Sequence, residues 1–330
     1  MNLSAYNCGL VILHYQDFAS TQKLLDAVKD FHEIDYIFVV DNNSQNNSYE
    51  ILKAYENGKI HVIQSDKNGG YSYGNNYGAR YLIDNFHPDI IGIANPDVIF
   101  SEDLVQKVKE SFATKPDYAV ITGTGFYVNY DGSMAYSLLW DSTHRKISFL
   151  LKAPIMYLFV NPCKRIVKKL LHIKTARKKV SYTEQVIHSP GNFKKVWAVC
   201  GCLFFIRTED FVNIGMFDEN IFLYCEEFIL ASKLEDIGRK TGITKEASFV
   251  HNHIHPSTEL GRLESSMKES IRTSISNIYY FEHYVTGNKL LQVLYGLLKY
   301  LQIAKIYALY NVKKLRYYVR KYFTVSKARR

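Results

Sequence analysis

Through about the first 115 residues, short apolar runs alternate with segments of helical spacing, and each run ends in polar residues that cannot continue it. Residues 9–14 form one such run, and residues 21–31 follow with Leu24, Leu25 and Val28 at helical spacing. Residues 35–40 end in Asp41-Asn42-Asn43-Ser44, a cluster suited to capping a helix over 48–55. Residues 59–64 lead through Asn68-Gly69-Gly70 to a helix over 73–85. Residues 89–94 end in Asn95-Pro96-Asp97, and Ser101-Glu102-Asp103 then reads as a helix start with acids where the dipole favours them. Four strand-to-helix passages of this kind predict parallel βαβ units in an open, doubly wound α/β sheet. In such sheets ligands lie beyond the carboxyl ends of the strands. His14-Tyr15, Asp41, Asn68 and Asp97 all fall there.

Further on the rhythm loosens. Residues 118–124 and 196–206 read as strands, the second containing Gly201, and Thr208-Glu209-Asp210 caps a short helix closed by Gly215. Between them, residues 145–180 carry eleven Lys or Arg and no acid, and residues 288–330 again carry eleven and no acid. The net charge of +9 therefore belongs to two segments rich in Leu, Ile, Tyr and Phe, while the rest of the chain is acidic. The implied division is 1–144 and 181–260 as two halves of an α/β domain, 145–180 as a basic apolar insertion, and 261–330 as a C-terminal basic helical region. Basic residues interleaved with apolar ones on helices suit an anionic membrane surface, and that partner is preferred here to nucleic acid. No run of about 18 apolar residues is present, no secretory signal is evident, and the five cysteines form no CxxC pair. The expected location is cytoplasmic, peripheral on the inner face of the cell membrane.

Several residue groups could carry chemistry. Asp41, at the end of the second strand, can accept from a ribose or a nucleobase imide, and Asn43 adds a polar group beside it. Asn68, Gly69 and the stretch to Gly78, including Asn75, combine glycines with amides and let a ligand approach the backbone. The stretch is neither a GxxxxGK[ST] loop nor a GxGxxG fingerprint, which removes the commonest ATP and NAD readings. Asp97 places a carboxylate at the tip of a buried strand, where it can hold a divalent cation against a diphosphate. Glu226 and Glu227 follow an aromatic run at a helix start. Adjacent side chains there point about 100° apart, so only one can serve as general base. His251, His253 and His255 alternate and share one face of an extended strand, too widely spaced for one ion to meet all three. One of them completing an oxygen-rich Mg²⁺ or Mn²⁺ site is the preferred use.

As an ordered set, these elements resemble the inverting nucleotide-sugar glycosyltransferases of family two, with the GT-A fold, and in particular rhamnosyltransferase-like bacterial members that build surface polysaccharides. The matching residues are Val39 to Ser44, Asn68-Gly69-Gly70 with Gly74 to Gly78, Asn95-Pro96-Asp97-Val98, Gly201 to Arg207, Gly215 to Glu219, Phe222 to Glu227 and the histidine cluster. The resemblance implies a Rossmann-like, mostly parallel mixed sheet with flanking helices. It implies a nucleoside-diphosphate sugar donor, UDP- or dTDP-linked, contacted by Tyr15, Asp41, Asn43, Asn68, Gly69, Asn75, Asn95 and Asp97. It implies Mg²⁺ or Mn²⁺ on Asp97 and His253, Glu227 as catalytic base with Glu226 its competitor, and a saccharide acceptor, polyprenyl-diphosphate-linked if the membrane reading holds.

The chain departs from the family pattern in two places. Glu227 stands where the family has Asp, which moves the carboxylate outward by roughly one C–C bond (~1.5 Å), and Phe228-Ile229-Leu230 replaces the further acid and leucine. Two other readings are a sugar-nucleotide transferase, which would carry a basic Gly-rich loop near the N-terminus that residues 10–17 lack, and a catalytically silent membrane-bound scaffold.

Overall fold

A computed structural model of the chain describes residues 6–162, 180–252 and 256–328. The chain divides into two compact units, one made of residues 1–143 and 179–253, the other of residues 144–178 and 254–330. The insertion and the C-terminal region thus cluster in a single unit.

In the first unit the expected alternation is present as β1 (Cys8–His14), α1 (Phe18–Val28), β2 (Tyr36–Asp41), α2 (Ser48–Leu52), β3 (Ile60–Gln64), α3 (Gly70–Phe86), β4 (Ile90–Ala94), β5 (Val98–Phe100) and α4 (Glu102–Thr114). After these come β6 (Tyr118–Val128), β7 (Met134–Tyr136) and β8 (Leu139–Trp140). The sheet order is β3-β2-β1-β4-β11-β6-β12-β5, where β11 is Leu203–Arg207 and β12 is Lys240–His251. β7 pairs with β6, and β9 (Phe193–Val196) with β12. Strands β1 to β4 run parallel, β11 runs antiparallel to β4 and β6, and β6 and β12 are parallel.

Successive strand residues feed opposite faces. Leu10, Ile12, Ile37 and Val39 belong to one buried cluster, while Val11, Phe38 and Val40 belong to the other. Strands buried on both faces read as unbroken apolar runs, which is why the sequence announced them.

The expected strand over 196–206 is two strands. β10 (Ala198–Val199) pairs with β8, and β11 starts only at Leu203. The turn Cys200-Gly201-Cys202 separates them, because both backbone groups of Gly201 bond outside the sheet: its N–H to the Glu227 carboxylate and its carbonyl to the Tyr71 hydroxyl. α6 (Tyr182–His188), α7 (Thr208–Asn213) and α8 (Glu226–Asp236) complete this unit.

The second unit is helical, with α5 (Ile147–Ile155), α9 (Glu259–Tyr280) and α10 (Lys289–Ala328). No described helix is long and apolar enough to cross a membrane.

Candidate active site

Parallel pairing sets His14 beside Asp41 and Asp41 beside Gln64, so three polar side chains line up at the carboxyl ends of β1, β2 and β3. The Asp41 carboxylate is fully buried. It accepts from the Ser44 backbone N–H at 3.2 Å and from Gln64 Nε2 at 2.7 Å, and its Oδ1 lies 3.7 Å from His14 Nε2. The two ring nitrogens of His14 bond to Thr21 Oγ1 at 2.8 Å and Ser48 Oγ at 2.7 Å. Burial lowers the imidazole's pKa from 6.5, against the pull of the Asp41 charge. Expected as a direct donor contact, Asp41 is thus also the cap of the following turn, and the residue bonded to its Oδ2, Gln64, is exposed.

The glycine-amide segment packs against this corner. Asn42 Nδ2 donates to Asn68 Oδ1 and to the Gly70 carbonyl, both at 3.1 Å, and Asn68 Oδ1 also accepts the Gly70 N–H. Gly69 precedes the helix start, and Gly70 opens α3 at φ +86°, where an added Cβ would stand 2.0 Å from the Phe222 carbonyl oxygen. Asn43, at φ 56°, donates to the Asp66 carbonyl, and Tyr15 is exposed at the rim. Asn75 does not share that surface. It is fully buried inside α3 with its amide on the Tyr71 carbonyl, because its position on the helix faces the core.

Asp97 closes the neighbouring corner. Its carbonyl accepts the Asn252 N–H at 2.8 Å, and His251 Nε2 lies 3.1 Å from its Oδ1. The pairing of β12 with β5 imposes this meeting, since His251 stands opposite Val98. The imidazole the structure brings to Asp97 is therefore that of His251; His253 and His255 lie outside the described residues. One carboxylate and one imidazole form a donor set that fits Mg²⁺ or Mn²⁺ with the remaining positions left to phosphate oxygens and water. Among the described residues no group of three His, Cys, Asp or Glu gathers to complete a shell from the protein alone.

The third corner is the start of α8. Tyr224 and Cys225 just before it both adopt left-handed backbone, φ 71° and 69°, a conformation that costs a non-glycine residue about 1–3 kcal/mol. That turn presents Glu227, whose Oε1 accepts the Gly201 N–H at 3.2 Å, while Tyr71 donates its hydroxyl to the Gly201 carbonyl at 2.5 Å. Glu226 lies deeper, and its Oε2 is buried with no hydrogen-bond partner. Burial raises both carboxyl pKa values above 4.5. Glu226 rises further under the charge of Glu227, and backbone N–H groups partly hold Glu227 down. A small cavity opens here, lined by Tyr71, Gly201, Phe217, Glu226, Glu227 and Thr241 among others.

The corners of Asp97 and Glu227 grip the same turn. Glu227 holds the N–H of Gly201, and the next carbonyl, that of Cys202, accepts the Asn95 N–H at 2.8 Å. The Cys202 thiol pKa is raised by its hydrogen bond with the Cys200 thiol and by burial, and further by the charges of both Asp97 and Glu227. Asp97, with an imidazole beside it, and Glu227, with its raised pKa, thus both lie close enough to Cys202 for their charges to reach its thiol.

Residues 10–171 match the family model described as Glycosyl transferase family 2. The chain carries a family 2 glycosyl transferase domain. A segment of 100 residues, 30% of the chain, is 29% identical to the low-salt glycan biosynthesis hexosyltransferase Agl10 of Haloferax volcanii, and spans 31% of that protein's length. Among solved structures, GalNAc-T7 with UDP, GalNAc and Mn²⁺ superposes with a TM-score of 0.55 at 13% identity, over 87% of this chain and 53% of that one. The mannosyltransferase PcManGT of Pyrobaculum calidifontis, in complex with GDP-Man and Mn²⁺, gives 0.51 at 12% identity, over 92% of this chain and 76% of that one. At these identities the likeness is one of fold, and the fold is GT-A: an α/β, mostly parallel sheet with flanking helices.

Sequence reasoning missed Gln64 and Tyr71 within the matched residues and the Gly201 turn beyond them. Strand register could have exposed Gln64, because it sits as far along β3 as Asp41 does along β2. Nothing in the sequence signals the clasp of Tyr71 on Gly201, which joins residues 130 positions apart. Ile229 and Leu230, in the stretch where the resemblance leads to a further acid, are packed in the core and offer an acceptor nothing polar.

Proposed function

We propose that the chain is an inverting glycosyltransferase that moves a hexosyl or rhamnosyl group from a UDP- or dTDP-linked donor to a hydroxyl of a saccharide acceptor. The observation that carries this reading is the turn at residues 200–202, held at Gly201 by Glu227 and at Cys202 by Asn95, two residues before the Asp97 that His251 meets. The donor's base and ribose would lie at the carboxyl edge of β1 to β3, displacing the Gln64 amide from Asp41 and offering its own N–H or O–H in its place. Asn43, Asn68, Gly69 and Asn95 would line that groove. Asp97 and His251 would hold Mg²⁺ or Mn²⁺, which when bound offsets charge on a departing diphosphate.

Glu227 takes the acceptor's proton. Its raised pKa makes it a stronger base than an ordinary carboxylate, and the Gly201 N–H fixes its direction. Glu226, buried and proton-retaining, keeps a second full negative charge from forming beside it. The longer Glu side chain at the base position places the acceptor hydroxyl farther from α8 than an Asp would.

The acid-free basic segments favour an acceptor that resides at an anionic membrane surface, a polyprenyl-diphosphate-linked saccharide on the cytoplasmic face, for cell-surface polysaccharide synthesis. The test is release of nucleoside diphosphate from a panel of UDP- and dTDP-sugars with Mn²⁺, for the wild type and Asp97→Ala. Release by the first and its loss in the second supports the reading. No release from any donor, with the fold intact, leaves a silent scaffold.

A further inference from the structure

α10 runs for 40 residues, about 60 Å at 1.5 Å per residue, without an Asp or Glu. One side is fixed within its unit. Tyr295 stacks on Phe281 with ring centres 4.1 Å apart, Gln292 donates to the carbonyls of Glu282 and Thr286, and Lys305 donates Nζ to the carbonyls of Tyr157 and Leu158. Lys299 is buried, its ammonium 5.4 Å from the Tyr295 ring centre. Between residues 290 and 312 the two cations, Lys299 and Lys305, are therefore turned inward or spent on carbonyls.

The opposite side is apolar as well, and open. Leu290, Leu294, Leu297, Leu301 and Leu315 are exposed, Leu290 at 76%. At about 100° per residue they fall, with Tyr300, Tyr307 and Tyr318, inside an arc of about 140° that no Lys or Arg enters between residues 290 and 322. The three tyrosines lie along one border of that arc. Lys313, Arg316 and Lys321 are exposed off the arc toward the end of the helix, while Arg320 pairs with Glu259 of α9 at 2.8 Å. A helix apolar on both sides is a buried helix with one neighbour missing, and monomers rarely leave so long an apolar patch in water.

We infer that this outer arc of α10 lies in the plane of an anionic bilayer, leucines in the acyl boundary, tyrosines at headgroup depth and the terminal cations on lipid phosphate. The inference rests on the membrane-surface reading above and narrows it to one face of one helix. Charge decides the occupant. A second copy would set one acid-free cationic helix against another with no counter-charge, whereas an anionic surface supplies it. The tyrosine border matches an interface where one end of a side chain is apolar and the other wet.

The test is flotation of the full chain with phosphatidylcholine vesicles, with and without phosphatidylglycerol, alongside donor turnover in the absence of vesicles. The wild type should float only with the anionic vesicles. Leu297→Glu/Leu301→Glu, at exposed positions, should keep its melting curve and its donor turnover yet lose about tenfold or more in partition. A double variant that floats like the wild type would overturn the arc while leaving the membrane location standing. A wild type that turns over donor but never floats would overturn both membrane statements and spare the enzyme. A lipid-free dimer in sedimentation, split by the double variant and indifferent to vesicles, would hand the arc to a second copy.

Discussion

Two corners of the site use carboxylates in opposite ways. At the end of β2, the Asp41 oxygens accept from a backbone N–H and an amide, and the histidine beside it has partners on both nitrogens. At the start of α8, Glu226 has a buried oxygen with no partner, a like charge next to it, and two left-handed residues just before it. The first corner stabilises the fold; the second costs stability and persists because the surrounding turn over-determines it. The same residue class is fully partnered scaffold in one place and an incompletely partnered acid pair, the reagent in the proposed reaction, in the other.

The strongest way to break this contrast is Glu227→Gln. An amide keeps the bulk and can still accept the Gly201 N–H, so the melting temperature should stay within about 2 °C while kcat falls about 10²–10⁴-fold. Asp97→Asn should match it in lost turnover, and excess Mn²⁺ should restore little. A Glu227→Gln enzyme that unfolds early and retains its kcat would make α8 a structural cap.

Asp41→Ala should show the reverse emphasis. It strips the Ser44 N–H and the Gln64 amide of their acceptor inside a buried corner, a loss of about 1–3 kcal/mol. Chemical denaturation should show the lower midpoint, and steady-state kinetics a higher donor KM with kcat less affected. Equal falls in kcat and kcat/KM would instead place Asp41 among groups that act only in the transition state.

These two positions also show how far the sequence could be read. The acids at 41, 97, 226 and 227 stood out because polar residues at the ends of apolar runs, or next to an aromatic run, have few packing reasons to be there. The parallel strands were legible for a related reason, since burial on both faces leaves unbroken apolar runs, and the polar residues ending them make them too short for buried helices. What joins the acids was not legible. His251 meets Asp97 through the register of β12 on β5, and Tyr71 reaches Gly201 through the packing of α3. Both are long-range facts that local spacing does not encode. Asn75 stands on the helix expected over 73–85, and what its Asn-rich, Gly-rich surroundings hid is that its side chain turns inward, to the Tyr71 carbonyl. The break at residues 200–202 was hidden because apolar composition continues straight through it.

A pH series sharpens the contrast further. Glu226 and Glu227 keep protons in the folded chain that the unfolded chain gives up near its ordinary value of 4.5, so stability declines as pH rises above that value through the raised ones. His14 runs the other way. Its lowered value lets the unfolded chain bind a proton first, so stability declines as pH falls below about 6.5. Glu226→Gln should therefore gain stability near pH 8, by ~1 kcal/mol because folding no longer has to hold a proton on a buried carboxyl, and gain little near pH 4. Its pH–rate profile should retain the acid limb belonging to Glu227. An inactive Glu226→Gln would move the base to the deeper residue.

The smallest expected effect lies at the lid of the stable corner. Gln64 is exposed, and its amide donates to Asp41 Oδ2 at 2.7 Å, the direction from which a base imide or a ribose hydroxyl would come. If donor and amide compete for that oxygen, Gln64→Ala removes the competitor and binds the donor more tightly in ground and transition states alike. KM for the donor should then fall about threefold, the worth of a weak net hydrogen bond, with kcat unchanged. A rise in KM would mean that Gln64 itself touches the donor. An unchanged KM would mean that no donor reaches Asp41, leaving that carboxylate wholly to the scaffold.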